Sequence, residues 1–80
     1  MATELTVVTW NVQGRAGVDA PAVAAVLRRA RPDVVALQEV QRAQARAISA
    51  ALGPRWHLVW GFKHWPVVNR PEGVAVLSPH

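Results

Sequence analysis

The strongest constraint on the fold is the alternation of short apolar runs with longer amphipathic segments along the chain. A β-branched and aromatic run over 5–10 predicts a strand, and an apolar run over 34–38 predicts a second one. Between these two runs, apolar side chains recur at helical spacing, at Val23, Val26, Leu27 and Ala30. A strand, a helix and a strand in this order predict two parallel strands joined by a right-handed crossover.

The boundaries of the elements follow from capping and helix-breaking residues. Asp19 can cap the first helix, and Pro32 ends it because proline cannot continue a helix. A second helix is predicted over about 42–52, followed by strands over 56–62 and 74–77. The predicted class is therefore α/β, with the order βαβαββ.

The second strand is apolar almost throughout, which is typical of a strand covered on both faces. Two helices can cover one face of the sheet, and no remaining segment can cover the other. We therefore expect residues 1–80 to be the N-terminal part of a larger domain, or to need a partner surface in order to fold.

Composition excludes several classes of protein. Hydrophobic residues make up 51% of the chain and charged residues 18%, which excludes a disordered chain. There is no cysteine, so disulfides, thiolate metal sites and cysteine nucleophiles are excluded. No apolar run approaches the roughly 20 residues of a membrane span, and no secretory signal is visible, so a cytoplasmic location is the default expectation.

The chain is basic. Nine Lys and Arg residues against five Asp and Glu residues give a net charge of +4. This balance suits a partner that carries phosphates, although Arg-rich helix faces also follow from a high-GC coding bias. One hypothesis from charge alone is a non-enzymatic, basic nucleic-acid-binding module.

Two polar residues come at the carboxyl ends of the predicted parallel strands. Asn11 follows the first strand and Glu39 follows the second, so the crossover should bring both to one edge of the sheet. A carboxylate beside a carboxamide suits Mg²⁺, which takes oxygen ligands. The structural alternative is that Asn11 caps a loop and that Glu39 caps or salt-bridges the second helix.

An aromatic and basic loop after the third strand is a second candidate region. Residues 64–73 contain two prolines, an Asn and a Gly, and are interpreted as an exposed loop. His64 and Trp65 in this loop are candidate substrate-binding residues, since exposed loops often carry function. The three histidines of the chain lack the spacing of a metal-binding motif such as HExxH.

Three strings resemble known motifs, in the right order and at plausible spacing. They are Thr9-Trp10-Asn11-Val12-Gln13-Gly14, Asp33-Val34-Val35-Ala36-Leu37-Gln38-Glu39-Val40 and Glu72-Gly73-Val74-Ala75-Val76-Leu77-Ser78-Pro79-His80. The chain resembles the N-terminal portion of the endonuclease/exonuclease/phosphatase (DNase I-like) family. The resemblance implies part of a four-layer α/β/β/α sandwich, whose second sheet would cover the apolar strands.

The resemblance also implies a function and its residues. It implies a metal-dependent phosphoesterase, with Asn11 and Glu39 in catalytic and metal-binding roles. The implied cofactor is Mg²⁺, with Mn²⁺ as the alternative, and the implied substrate is a phosphate ester of a nucleic acid or a phospholipid head group. Gln13 stands where some nucleases of the family carry an Asp, and the later family motifs are missing, so we expect these 80 residues alone to be inactive.

Overall fold

A computed structural model describes residues 4–62 and 73–80 of the protein. The strands are β1 (Val7–Asn11), β2 (Val34–Val40), β3 (His57–Phe62) and β4 (Gly73–Ser78). The helices are α1 (Ala20–Ala30) and α2 (Arg42–Leu52), and a short 3₁₀ turn (Gly14–Ala16) lies between β1 and α1. This order confirms the predicted βαβαββ succession.

The four strands form one mixed sheet in the order β1-β2-β4-β3. β1 and β2 are parallel, with Asn11 opposite Gln38, as the βαβ pattern predicts. β4 runs antiparallel to both β2 and β3. Because β1 and β2 run in the same direction, their carboxyl ends lie at the same edge of the sheet.

Both helices begin at capped ends. Asp19 Oδ1 accepts a hydrogen bond from the Ala22 amide at 3.1 Å, which satisfies one of the free amides at the start of α1. α2 begins with a capping box in which the side chains of Gln41 and Gln44 each accept a bond from the other's backbone amide. α2 ends at Leu52, and it is followed by Gly53, where φ is 119° and a side chain would be disfavoured.

The hydrophobic core lies between the two helices and one face of the sheet. α1 contributes Val23, Ala24 and Leu27, and α2 contributes Ala45, Ile48 and Leu52. The sheet contributes the alternate residues that face these helices, which are Val35, Leu37, Val40, Ala75 and Leu77. Period-2 alternation selects Val35 and Leu37 on β2 and Ala75 and Leu77 on β4, whereas Val40 comes three positions after Leu37 because the register shifts between them.

The opposite face of the sheet carries apolar side chains that the described residues leave open. Val7, Val59 and Val76 are 53%, 70% and 41% exposed. Both helices pack on the same side of the sheet, as the sequence predicted, so no helix within 4–62 and 73–80 covers the opposite face. Neither α1 nor α2, at 11 residues each, is long enough to cross a bilayer.

Gly73 allows β4 to approach β3 closely. A Cβ atom at this position would lie 2.0 Å from the Gly61 carbonyl oxygen and 2.9 Å from its carbonyl carbon. These are backbone atoms of the neighbouring strand, so they cannot move aside as a flexible side chain could.

We predict that Gly73→Ala lowers the free energy of unfolding by about 3 kcal/mol, because overpacking against backbone forces the strands apart. The matched control is Gly61→Ala, where a Cβ would meet nothing within 4 Å. Urea denaturation of both variants measures the difference. Equal stability of the two variants would contradict the close approach of Gly73 to the Gly61 carbonyl group.

A cluster built on Asp33 holds the start of β2. Asp33 Oδ2 accepts a bond from the Thr6 amide at 2.8 Å, and Oδ1 lies 2.9 Å from Nε2 of His80. The Asp33 carbonyl accepts a bond from the Ser78 hydroxyl at 2.8 Å. The Thr6 amide first, and the His80 side chain second, lower the pKa of Asp33 below its usual 3.8.

This direction of shift predicts how stability depends on pH. The ionised form of Asp33 is favoured in the folded state, so its contribution is fully present above pH 3.8 and is lost as pH falls through the lower, folded-state pKa. Asp33→Asn should therefore show a shallower loss of unfolding free energy below about pH 4 than the wild type. Urea titrations across this acid range measure the unfolding free energy of both proteins. Parallel pH profiles would argue against a stabilising role of ionised Asp33.

Candidate functional site

Asn11 and Glu39 lie together at the carboxyl edge that β1 and β2 share. Asn11 is the last residue of β1, which corrects the expectation that it follows this strand. Its Nδ2 donates a hydrogen bond to Oε2 of Glu39. The two residues are 28 positions apart in sequence. The predicted juxtaposition is therefore present, while the catalytic and metal-binding roles of these residues stay predictions.

The backbone after β1 sets the orientation of the Asn11 amide. Asn11 Oδ1 accepts a bond from the Gln13 amide at 3.0 Å, a local bond typical of an Asx turn. With its oxygen committed to Gln13, the amide presents its nitrogen to Glu39. Gln13 has a left-handed backbone with φ of 50°, and the 3₁₀ turn starts directly after it.

Glu39 lies within β2, which corrects the expectation that it follows the end of this strand. β2 pairs with β4 at Leu37–Ala75 and next at Val40–Gly73. Two residues of β2, Gln38 and Glu39, thus face a single residue of β4, which defines a β-bulge with one extra residue. Glu39 is half-buried and has a φ of 52°, in the left-handed region.

Hydrogen bonds hold the backbone on both sides of Glu39. The Gln38 carbonyl accepts a bond from the Val12 amide at 3.1 Å. The Val40 carbonyl accepts a bond from the indole Nε1 of Trp60 at 3.0 Å. A left-handed residue other than glycine persists where its surroundings impose it, and such residues concentrate at functional sites.

Gln44 and Trp60 contribute to this edge, and the sequence patterns did not assign either residue to it. Gln44 Nε2 donates to the Gly14 carbonyl at 2.9 Å, which ties α2 to the loop that follows Asn11. The pair Gln41 and Gln44 has capping-box spacing, a signal that could have drawn attention to Gln44. No signal in the sequence shows that the Trp60 indole reaches Val40.

A second cluster of Ser, His and Asp lies at the start of β2 and the end of β4, away from the carboxyl edge. The Ser78 hydroxyl donates to the Asp33 carbonyl at 2.8 Å and accepts the His80 amide at 3.1 Å. The His80 ring bonds to the Asp33 carboxylate and not to the Ser78 hydroxyl. The arrangement therefore lacks the serine–histidine contact of a nucleophilic triad.

The predicted substrate-binding residues His64 and Trp65 lie outside the described residues. Among the arginines, Arg28 donates from its guanidinium to the Ala51 carbonyl in the last turn of α2. This bond satisfies a helix-end carbonyl, so Arg28 links the two helices.

The donors at the carboxyl edge suit a hard divalent cation with few protein ligands. Within 4–62 and 73–80, no group of three or more His, Asp and Glu side chains converges on one point. Mg²⁺ is usually held by one or two carboxylates together with water and substrate phosphate. The single carboxylate of Glu39, oriented by Asn11, fits this mode of binding.

We predict that glycine is tolerated better than alanine at position 39. Glu39→Gly should be more stable than Glu39→Ala by about 1 kcal/mol, because a left-handed φ disfavours a side chain. At Thr9, an exposed residue of β1 outside the left-handed region, the order should reverse and alanine should be more stable. Thermal or urea unfolding of these four variants checks the prediction, and alanine ranking first at both positions would refute it.

A comparison with family models shows which family the chain belongs to. The family model described as Endonuclease/Exonuclease/phosphatase family matches residues 8–80. The chain therefore belongs to the endonuclease/exonuclease/phosphatase family, as its motifs imply. A comparison with curated protein sequences found no match.

Solved structures agree on the fold. An endonuclease/exonuclease/phosphatase from Beutenbergia cavernae DSM 12333 is 29% identical with a TM-score of 0.68, over 95% of this chain and 26% of that one. D. rerio TDP2, complexed with a single-strand DNA product, is 20% identical with a TM-score of 0.73, over 98% and 30%. The Bacteroides thetaiotaomicron VPI-5482 mannosyl-6-phosphatase Bt3783 is 19% identical with a TM-score of 0.70, over 94% and 31%. The chain thus spans less than a third of each of these three structures.

Proposed function

We propose that this chain supplies a divalent-metal site of a phosphoesterase, with Glu39 as a metal ligand. The observation that carries the proposal is the Asn11–Glu39 hydrogen bond at the shared carboxyl edge of two parallel strands. Membership of the endonuclease/exonuclease/phosphatase family supports the reaction class. Metal dependence is inferred from the donor set, since a carboxylate oriented by an amide suits Mg²⁺ or Mn²⁺.

The substrate class is a phosphate ester. Two of the structural neighbours carry descriptions that point to different substrates, since one is complexed with a single-strand DNA product and the other is named a mannosyl-6-phosphatase. A phosphoryl group bonded to oxygen is common to both. We therefore assign the shared phosphate-ester chemistry to this chain, and leave open whether a nucleic acid or a phospholipid head group carries it.

In this proposal Glu39 binds the metal ion and Asn11 orients the Glu39 carboxylate. A cation held by Glu39 would supply Lewis-acid polarisation of the phosphoryl group. Asn11 keeps one carboxylate oxygen of Glu39 in a set direction and adds no negative charge that would repel a phosphate. The bulge in β2 turns the Glu39 side chain toward Asn11 and fixes it before any ligand arrives, which avoids reorganisation during the reaction.

The nucleic-acid-binding module, the second hypothesis from sequence, has weaker support. It relies on the arginines of the helices, and Arg28 is bonded to the Ala51 carbonyl. Arg28 and Arg29 lie in the last turn of α1, where the helix dipole favours cations and disfavours bound anions.

Hydrolysis of bis(p-nitrophenyl) phosphate and p-nitrophenyl phosphate by the full-length protein tests the proposal. We expect activity that requires Mg²⁺ or Mn²⁺ and is abolished by EDTA. Glu39→Gln should lower kcat/KM about 100-fold or more, because a metal ion contributes several kcal/mol to the transition state. Asn11→Ala should lower it about 10-fold to 100-fold, the range for residues that orient a ligand.

The matched control is Glu4→Gln, which removes an exposed carboxylate three residues before the start of β1 and should leave kcat/KM unchanged. Activity that survives EDTA and Glu39→Gln would exclude the proposed metal site. Salt-sensitive DNA binding without hydrolysis, unaffected by Glu39→Gln, would favour the binding module instead.

A further inference from the structure

We propose that Trp60 is a positioning residue for Glu39, and that its indole N–H holds the β2 bulge in the form that turns Glu39 toward Asn11. The role of Glu39 as a metal ligand rests on the function proposed above. The mechanical part of the inference, that Trp60 imposes the left-handed backbone at residue 39, can be tested without any metal.

The indole reaches β2 from two strands away. Trp60 lies on the edge strand β3, and β4 lies between β3 and β2. Its Nε1 nevertheless donates to the Val40 carbonyl at 3.0 Å. The Trp60 side chain therefore crosses β4 to bring its indole N–H to β2.

Small residues on β4 leave room for this ring. Ala75 is the residue directly paired with Trp60, and it is fully buried. Gly73 is the next residue of β4 on the same face, and a Cβ there would lie 3.1 Å from Cε2 of Trp60. The ring therefore crosses β4 where its side chains are smallest.

The Val40 carbonyl is the group through which Trp60 acts on Glu39. Val40 is fully buried, and it is the first residue after the bulge to pair again with β4. A buried carbonyl without a partner is costly, so the indole bond favours the orientation in which this carbonyl faces Trp60. Together with the bond from Val12 to the Gln38 carbonyl, it fixes the backbone on both sides of Glu39.

The expected consequence of losing the indole donor is relaxation of residue 39. A left-handed φ of 52° is unfavourable for glutamate, and it is maintained because the flanking groups are held. Without the bond to Val40, the backbone at residue 39 can return to an extended conformation. Such a change moves the carboxylate away from the Asn11 amide.

The first experiment compares two aromatic substitutions in the full-length protein. Trp60→Phe removes the donor and keeps an aromatic ring. Trp56→Phe is the matched control, since Trp56 is also half-buried and packs against the same core. NMR of the wild type should show the strong intraresidue Hα–HN NOE of a positive φ at Glu39, which Trp60→Phe should weaken and Trp56→Phe should retain.

The second experiment uses stability and needs no metal. Glycine should be more stable than alanine at position 39 while Trp60 is present. In the Trp60→Phe background this advantage should disappear or reverse, because residue 39 no longer holds a positive φ. In the Trp56→Phe background the advantage should persist.

The third experiment measures metal binding by calorimetry with MgCl₂ alone. Trp60→Phe should weaken Mg²⁺ binding about tenfold, the lower end of the effect of removing a group that orients a ligand. If Trp60→Phe fails to fold, replacing Trp60 by β-(3-benzothienyl)alanine removes the N–H from a ring of the same shape, and the three measurements are made on that variant.

The positioning role would be overturned if loss of the Trp60 donor left the NOE at Glu39 unchanged and glycine still more stable than alanine at position 39. The proposed metal site would be refuted if the wild type binds no Mg²⁺. The positioning role would still be supported if loss of the Trp60 donor weakens the NOE at Glu39 and cancels the advantage of glycine over alanine there. The two failures are therefore distinguishable.

Discussion

Parallel pairing of β1 with β2 is the constraint on which the site depends. It places the ends of two strands at one edge, so Asn11 meets a residue 28 positions later in the chain. The crossover helix α1 makes this pairing possible, since parallel neighbours cannot be joined by a tight turn. Burial of one face of the sheet against α1 and α2 then holds the register, because a shift by one residue would expose the core side chains.

The edge that results combines a regular scaffold with one irregular residue. β2 is regular up to Leu37, and the bulge adds one residue before Val40 pairs with Gly73. This extra residue gives Glu39 a backbone conformation that a regular strand would not allow. Bulges near functional sites redirect a side chain in this way, and the surrounding hydrogen bonds compensate for the local strain.

Much of the fold could be predicted from the sequence because local chemistry controls it. Asp19 and Pro32 bracket α1, and the predicted span of α2 agrees with the structure. The family resemblance is confirmed by the match over residues 8–80. The open apolar face around Val59 and Val76 agrees with the prediction that two helices cover only one face of the sheet. What covers this face could not be predicted, because an apolar strand pattern shows that a face needs covering and not which segment covers it.

The candidate site also has features that the sequence predicted and features that only the tertiary structure determined. Strand order and the position of Asn11 and Glu39 near strand ends were enough to predict that the two side chains meet, because parallel strands share an edge. The bulge at Glu39, the indole bond from Trp60 and the bond from Gln44 to Gly14 were decided by tertiary structure. The two bonds join side chains to carbonyl groups that are distant in sequence. Whether such groups meet depends on how the strands and helices pack, and the order of neighbouring residues does not show this.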